Sequence, residues 1–113
     1  MGVEMDERPD NAGAAATCEA LVDAAGTPTL KLFGELDLGS LGPIRRAFDA
    51  IVKDQPARVI VDVSELRFID SSGLSLFLSV AHQIDEVELR DPSPTLRKVI
   101  GLTGLTDVFV MTP

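Results

Sequence analysis

The run Val59-Ile60-Val61, within "ARVIVDVS", most limits what this chain can fold into. Successive side chains of a strand point to opposite faces, so three consecutive β-branched apolar residues cannot all face one way. A strand carrying them is expected to be central and buried on both sides, as in a sheet covered by crossover connections.

The remaining hydrophobic pattern supplies partners for that strand. Cys18, Ala20 and Val22 alternate with polar neighbours, "DAAGTP" supplies turn residues, and Leu30, Leu32, Gly34 and Leu36 alternate again, which predicts a hairpin. In "SLGPIRRAFDAIV", Leu41, Ile44, Phe48, Ile51 and Val52 share one helical face, with Ser40 as the expected N-cap and Pro43 in the first turn. Val87 and Leu89 predict a short strand after the next apolar segment. Ser93-Pro94 then opens a helix buried through Leu96, Val99 and Ile100 and stopped at Gly104, and "DVFVMTP" predicts a last strand. The order ββαβαβαβ defines an α/β domain whose pairing is largely parallel after the opening hairpin.

A chain of 113 residues has room for one such core. Its first sixteen residues, "MGVEMDERPDNAGAAA", are acidic and then Ala- and Gly-rich without an apolar face. That leader (1–16) is expected to stay disordered, and the domain to occupy 17–113. The leader lacks the basic start and apolar run of a secretory signal, and no later run is long enough to cross a bilayer, so a cytoplasmic protein is expected. A formal net charge of −8 argues against direct nucleic-acid binding, which needs clustered Lys and Arg. With Cys18 and His82 as the sole cysteine and histidine, a Cys/His zinc site is excluded for the chain alone, and no metal or cofactor is expected. Cys18 reads as a small buried strand residue, and His82 as a polar residue on a helix face.

In "FIDSSGLSLFLSVAH" two serines stand where the central strand gives way to a helix, at the sheet edge where sites form in such folds. Projection at ~100° per residue puts Ser71, Ser72, Ser75, Ser79, His82 and Gln83 on one side and Leu74, Phe77, Leu78, Ala81 and Ile84 on the other. The polar side is narrow, uncharged and rich in small hydroxyls. It suits a flat protein–protein contact, or else close packing beside a neighbouring element. Within "DSSG", Asp70 or Ser71 fits an N-cap. A hydrolase nucleophile would want the G-x-S-x-G elbow and a nearby base, and both are missing. A serine at an exposed helix N-terminus also suits phosphorylation, because free N–H groups and the helix dipole tolerate a dianion. The residues alone leave the cap and phosphoacceptor readings open. A two-component receiver would need an adjacent acidic pair at the end of the first strand, which the chain lacks.

Three stretches, "GELDLGS" at 34–40, "VIVDVSELRFIDSSGLSLFL" at 59–78 and "SPTLRKVIGLTGLTDVF" at 93–109, together resemble the STAS domain of bacterial anti-sigma factor antagonists. The resemblance implies a mixed sheet with helices packed on it. It further implies that Ser71, the first serine of "DSSG", is phosphorylated and that Asp37 of the "GELD" loop lies near it. The docking surface expected from the helix face and this resemblance comprises Asp37, Ser40, Asp70, Ser71, Ser72, Ser75 and Ser79. The implied partners are an anti-sigma factor with a histidine-kinase-like ATPase and serine kinase fold, and a metal-dependent serine phosphatase that resets the switch. ATP, magnesium and catalytic residues would belong to those partners, so the chain is expected not to be an enzyme. The alternative within the same family is a STAS scaffold in a signalling or lipid-transport assembly that does not switch. One departure from the family pattern is the abrupt passage from helix to strand in "AHQIDEVELRD".

Overall fold

The computed structural model describes residues 2–4 and 14–113. Among these residues, six strands and three α-helices occur in the order β1 (Gly2–Glu4), β2 (Thr17–Val22), β3 (Pro28–Leu36), α1 (Leu41–Lys53), β4 (Arg58–Asp70), α2 (Ser71–Gln83), β5 (Glu86–Arg90), α3 (Pro94–Leu102) and β6 (Val110–Thr112). From residue 17 onward this is the expected ββαβαβαβ order. The sheet runs β2-β3-β4-β5-β6, antiparallel within the β2–β3 hairpin and parallel thereafter.

β4 is the central strand and, at 13 residues, the longest of the described strands, and the burial of its apolar run matches the sequence. Val59 and Val61 join the main core with Leu30 and Leu32 of β3 and Val87 and Leu89 of β5. Ile60 points the other way yet is 0% exposed, between its register partners Thr29 and Glu88. Glu88 is itself buried, and its carboxylate gathers Arg58, Arg90 (3.2 Å) and Thr112 (2.8 Å), so one ion cluster links the edges of β4, β5 and β6. On the same outer face, Glu19, Lys31, Asp62 and Arg90 stand side by side in register across four strands with alternating sign. Opposite charges on directly neighbouring strands attract and help hold the register of the four strands.

The helices cover the other face. Ile44 and Phe48 of α1, Phe77 and Val80 of α2, and Leu96 and Ile100 of α3 all enter the same core, with Phe48 and Phe77 edge-to-face at 6.2 Å between centroids. α3 starts as its sequence requires, Ser93 Oγ accepting from the Leu96 N–H at 3.0 Å with Pro94 following. After α3, Gly104 takes a φ of +75°, where the left-handed conformation closes the helix. α2 passes to β5 within two residues, so the abrupt connection in the sequence is real. Among the described residues no helix is long and apolar enough to cross a membrane.

Most of the 1–16 leader lies outside the described residues, but two of its parts are placed. Gly2–Glu4 pairs antiparallel with the end of β4, Gly2 opposite Asp70. Ala14 and Ala15 run beside β3, the Glu35 N–H donating to the Ala14 carbonyl at 2.9 Å, and Ala16 is buried. This approach depends on Gly34, whose φ is +82° and where a Cβ would meet the Ala14 and Ala15 carbonyl oxygens at 2.9 Å. Cys18, expected to be buried, is only half-buried at the margin of the core, because β2 is an edge strand.

Two glycine substitutions test this packing. Gly34→Ala should lower unfolding free energy in urea by about 1–3 kcal/mol, through the left-handed φ and the backbone contact. Gly101→Ala, on α3 with nothing within 4 Å of its added Cβ, should raise it by about 0.5–1 kcal/mol.

Candidate functional site

β4 ends and α2 begins at Asp70-Ser71-Ser72-Gly73, and each of these four residues has a distinct physical task. Asp70 has extended backbone and is the N-cap, its Oδ1 accepting from the Gly73 N–H at 3.0 Å and from the Ser72 hydroxyl at 2.5 Å. Its Oδ2 accepts from the Leu38 N–H at 3.2 Å, across 32 residues of sequence. One carboxylate therefore holds the "GELD" loop against the entry of α2. Gly73 lets the first turn of α2 press on the sheet, since a Cβ there would lie 2.6 Å from Ile69 Cγ1 and 3.1 Å from Leu36 Cγ. Ser71 sits between these fixed points, is exposed, and its hydroxyl is engaged by none of the described residues.

The facing loop is equally constrained. Asp37 caps a 3-10 turn over Leu38–Ser40, its Oδ1 accepting from the Ser40 N–H at 3.1 Å while its own N–H donates to Ser40 Oγ at 3.2 Å. Ser40 does not cap α1 as the sequence suggested. It stands at the N-cap position without a side-chain cap bond, is buried, and donates its hydroxyl to the Glu35 carbonyl at 2.8 Å. The upstream turn built by Asp37 competes for that hydroxyl and wins it. Ser40 thus supports the loop from behind rather than facing outward.

The faces of α2 also differ from the simple projection. Its buried residues are Gly73, Leu76, Phe77 and Val80, while Leu74, Leu78 and Ala81 of the expected apolar side are only partly buried. The rotation follows from Gly73 against Ile69 and Leu36 and from Phe77 against Phe48, contacts that fix which side turns inward. Ser71, Ser75 and His82 are exposed as expected, and Ser79 is half-buried with its oxygens accepting from Gln83 Nε2 at 3.0 and 3.4 Å. Of the expected docking residues, Asp37, Ser40, Asp70 and Ser72 form one hydrogen-bonded frame, Ser71 and Ser75 face outward beside it, and Ser79 lies further along the helix. The one outward residue that sequence reasoning missed is Leu38, 74% exposed on the capped turn.

The residues that could serve as bases near Ser71 are either engaged or distant. Asp70 accepts from Ser72, and His82 is eleven residues down the same helix, about 16 Å along its axis. Partial burial pushes the Asp70 carboxyl up, but hydrogen bonds from the Ser72 hydroxyl and from the Gly73, Leu38 and Ser72 N–H groups outweigh this and hold it below the usual 3.8. Asp70 is therefore ionised at neutral pH.

Comparison with known proteins agrees with this architecture. The family model described as "Mlab, STAS domain" matches residues 10–112. The chain is 37% identical over 84 residues to an anti-sigma F factor antagonist of Lysinibacillus sphaericus, covering 70% of this chain and 72% of that one. The structure resembles an anti-sigma factor antagonist from Mycobacterium paratuberculosis with a TM-score of 0.81 at 25% identity, over 91% of this chain and 90% of that one. It also resembles the anti-sigma factor antagonist SpoIIAA at 27% identity, with TM-scores of 0.71 for the unphosphorylated form (86% and 89% of the two chains) and 0.68 for the phosphorylated Bacillus form (86% and 92%). The chain belongs to the STAS-domain family of anti-sigma factor antagonists.

Asp70→Ala should cost about 0.5–2 kcal/mol of unfolding free energy at pH 7, as loss of a cap does. Because the folded-state pKa is lowered, the Asp70 contribution is complete above the unfolded value and is lost as pH falls through the folded one. The gap between wild type and Asp70→Asn, followed by urea titration from pH 7 to pH 2, should therefore close on the acid side. A constant gap would show that the charge on Asp70 does not matter.

Proposed function

We propose that the unmodified chain binds an anti-sigma factor of the serine-kinase type, so freeing a sigma factor, and that phosphorylation of Ser71 ends this binding. The observation that carries the reading is the contrast at "DSSG". Ser72 and Asp70 are committed to the frame, whereas Ser71, at a fixed helix start, is exposed and its hydroxyl has no partner among the described residues. A kinase can reach it without unfolding anything. In this reading the chain is substrate and ligand, and the catalytic groups belong to the anti-sigma factor and to a metal-dependent serine phosphatase that resets the site.

Charge explains why the modification would block docking. A phosphoserine adds about −1.5 to −2 charges. At Ser71 these charges would stand beside the ionised Asp70 and near Asp37, on a surface that must be desolvated against the partner. Like charges brought together at an interface cost several kcal/mol, and 3 kcal/mol at ~1.4 kcal/mol per decade already weakens binding more than a hundredfold. The fold would change little. Asp70 already occupies the Gly73 N–H, so the phosphate gains the helix dipole but meets a neighbouring carboxylate, and these effects oppose each other. The phosphorylated and unphosphorylated forms of SpoIIAA both resemble this fold, which supports a switch without refolding.

Each serine-kinase-type anti-sigma factor encoded by the source genome can be purified and incubated with the chain and ATP. Mass mapping should place one phosphate on Ser71, and Ser71→Ala should bind the same factor whether or not ATP is present. The phosphorylated protein should melt within about 5 °C of the unmodified one, a shift of roughly 1 kcal/mol or less, while its affinity falls at least a hundredfold. Phosphate on Ser72 alone would overturn the assignment. No phosphate anywhere with binding unaffected by ATP would indicate the non-switching scaffold.

A further inference from the structure

Leu38 is the one large apolar side chain of the "GELD" loop left in solvent, 74% exposed, and the loop backbone around it is fixed on every side. Its N–H is held by Asp70, the preceding Asp37 caps its turn, and Ser40 ties that turn to Glu35. An apolar group held in one place loses little freedom when a partner covers it, which is what makes an exposed residue an effective anchor. Gly39, Gly42 and Pro43 beside it are exposed and carry no charged or bulky polar side chain of their own, and the Arg46 guanidinium lies over Gly42 on the α1 side. Resting on the docking surface proposed above, we infer that Leu38 is the apolar anchor of that surface and is received by an apolar pocket with a basic rim on the anti-sigma factor.

The basic rim follows from the acidic side chains beside Leu38. Residues 34–44 and 68–84 contain Glu35, Asp37 and Asp70 and no Lys or Arg, with His82 as the sole basic side chain and that at the far end of α2. Arg45 and Arg46 follow on the exposed part of α1, and the Arg46 guanidinium reaches back over Gly42, 3.5 Å from where a Cβ on that glycine would stand, so the acidic character belongs to the Asp37 and Asp70 side of Leu38. A partner presenting carboxylates here would be repelled, while one presenting Lys or Arg around an apolar pocket would match both features. The same rim would be well placed to attract the Ser71 region to a kinase, and the anchor would then hold the serine in register.

Leu38→Asn and Leu38→Met separate the apolar contact from the loop itself. Isothermal titration should be run with the individually purified anti-sigma factor that phosphorylates the wild-type chain. Burying a Leu side chain corresponds to a ten- to hundredfold change in affinity. Leu38→Asn should lose about that factor, Leu38→Met should stay within about threefold of wild type, and neither should shift the melting temperature, because the side chain supports nothing. Wild-type affinity should also fall as salt rises, in line with a basic rim. Equal affinity for Leu38→Asn and wild type would overturn the anchor while leaving the proposed function intact. Absence of binding by the wild type to every such factor would instead refute the function on which the anchor rests.

Discussion

The Asp70 carboxylate joins the two parts of the chain on which the site depends. A carboxylate offers about four acceptor positions, and here one oxygen takes the Gly73 N–H and Ser72 hydroxyl of α2 while the other takes the Leu38 N–H of the facing loop. Neither segment is held by the sheet alone. The loop leaves β3 after Leu36 and the helix leaves β4 after Asp70, so both start at sheet ends where ladder hydrogen bonds stop. The bond between them converts two strand exits into one surface, and Gly73, by allowing α2 to touch Ile69 and Leu36, fixes its depth.

Under the proposed function, that arrangement would separate support from signalling. Asp70, Ser72, Asp37 and Ser40 spend their polar atoms on one another and on backbone groups, so they define shape. The side chains of Ser71 and Leu38 are exposed and hold nothing in the fold, so modifying one or covering the other would cost little structurally. Charge added at Ser71 then changes what can approach the surface more than it changes the surface. The remainder of the domain serves as a rigid base. β4 is buried on both faces, the Glu88 cluster clamps three strands from the outer side, and Phe48 against Phe77 sets the packing of α1 on α2.

Much of this was legible in the sequence wherever the signal was local. The Val59-Ile60-Val61 run identified the central strand because its burial needs no knowledge of partners, and Ser93-Pro94 and Gly104 announced the ends of α3 through backbone preferences alone. The "DSSG" motif marked the candidate site through resemblance, and the Asp70 cap observed there was available from residue type. Three features were not legible because other parts of the chain decide them. The Ser40 hydroxyl was drawn into the Asp37 turn instead of capping α1. The inward face of α2 was set by Gly73 and Phe77, since a helix so poor in charge gives no sharp division by periodicity. The exposure of Leu38 depends on a hydrogen bond to a residue 32 positions away.

Whether one carboxylate couples the loop to the helix can be read from amide proton chemical shifts followed by NMR through an acid titration. An N–H bonded to a carboxylate reports the protonation of that carboxylate. The Leu38 and Gly73 amide signals should therefore titrate together with a single shared midpoint below the ordinary aspartate value, and both titrations should vanish in Asp70→Asn. A Leu38 amide that stays flat while Gly73 titrates would mean that Asp70 caps its helix and nothing more, and that the two segments of the site are held in place independently.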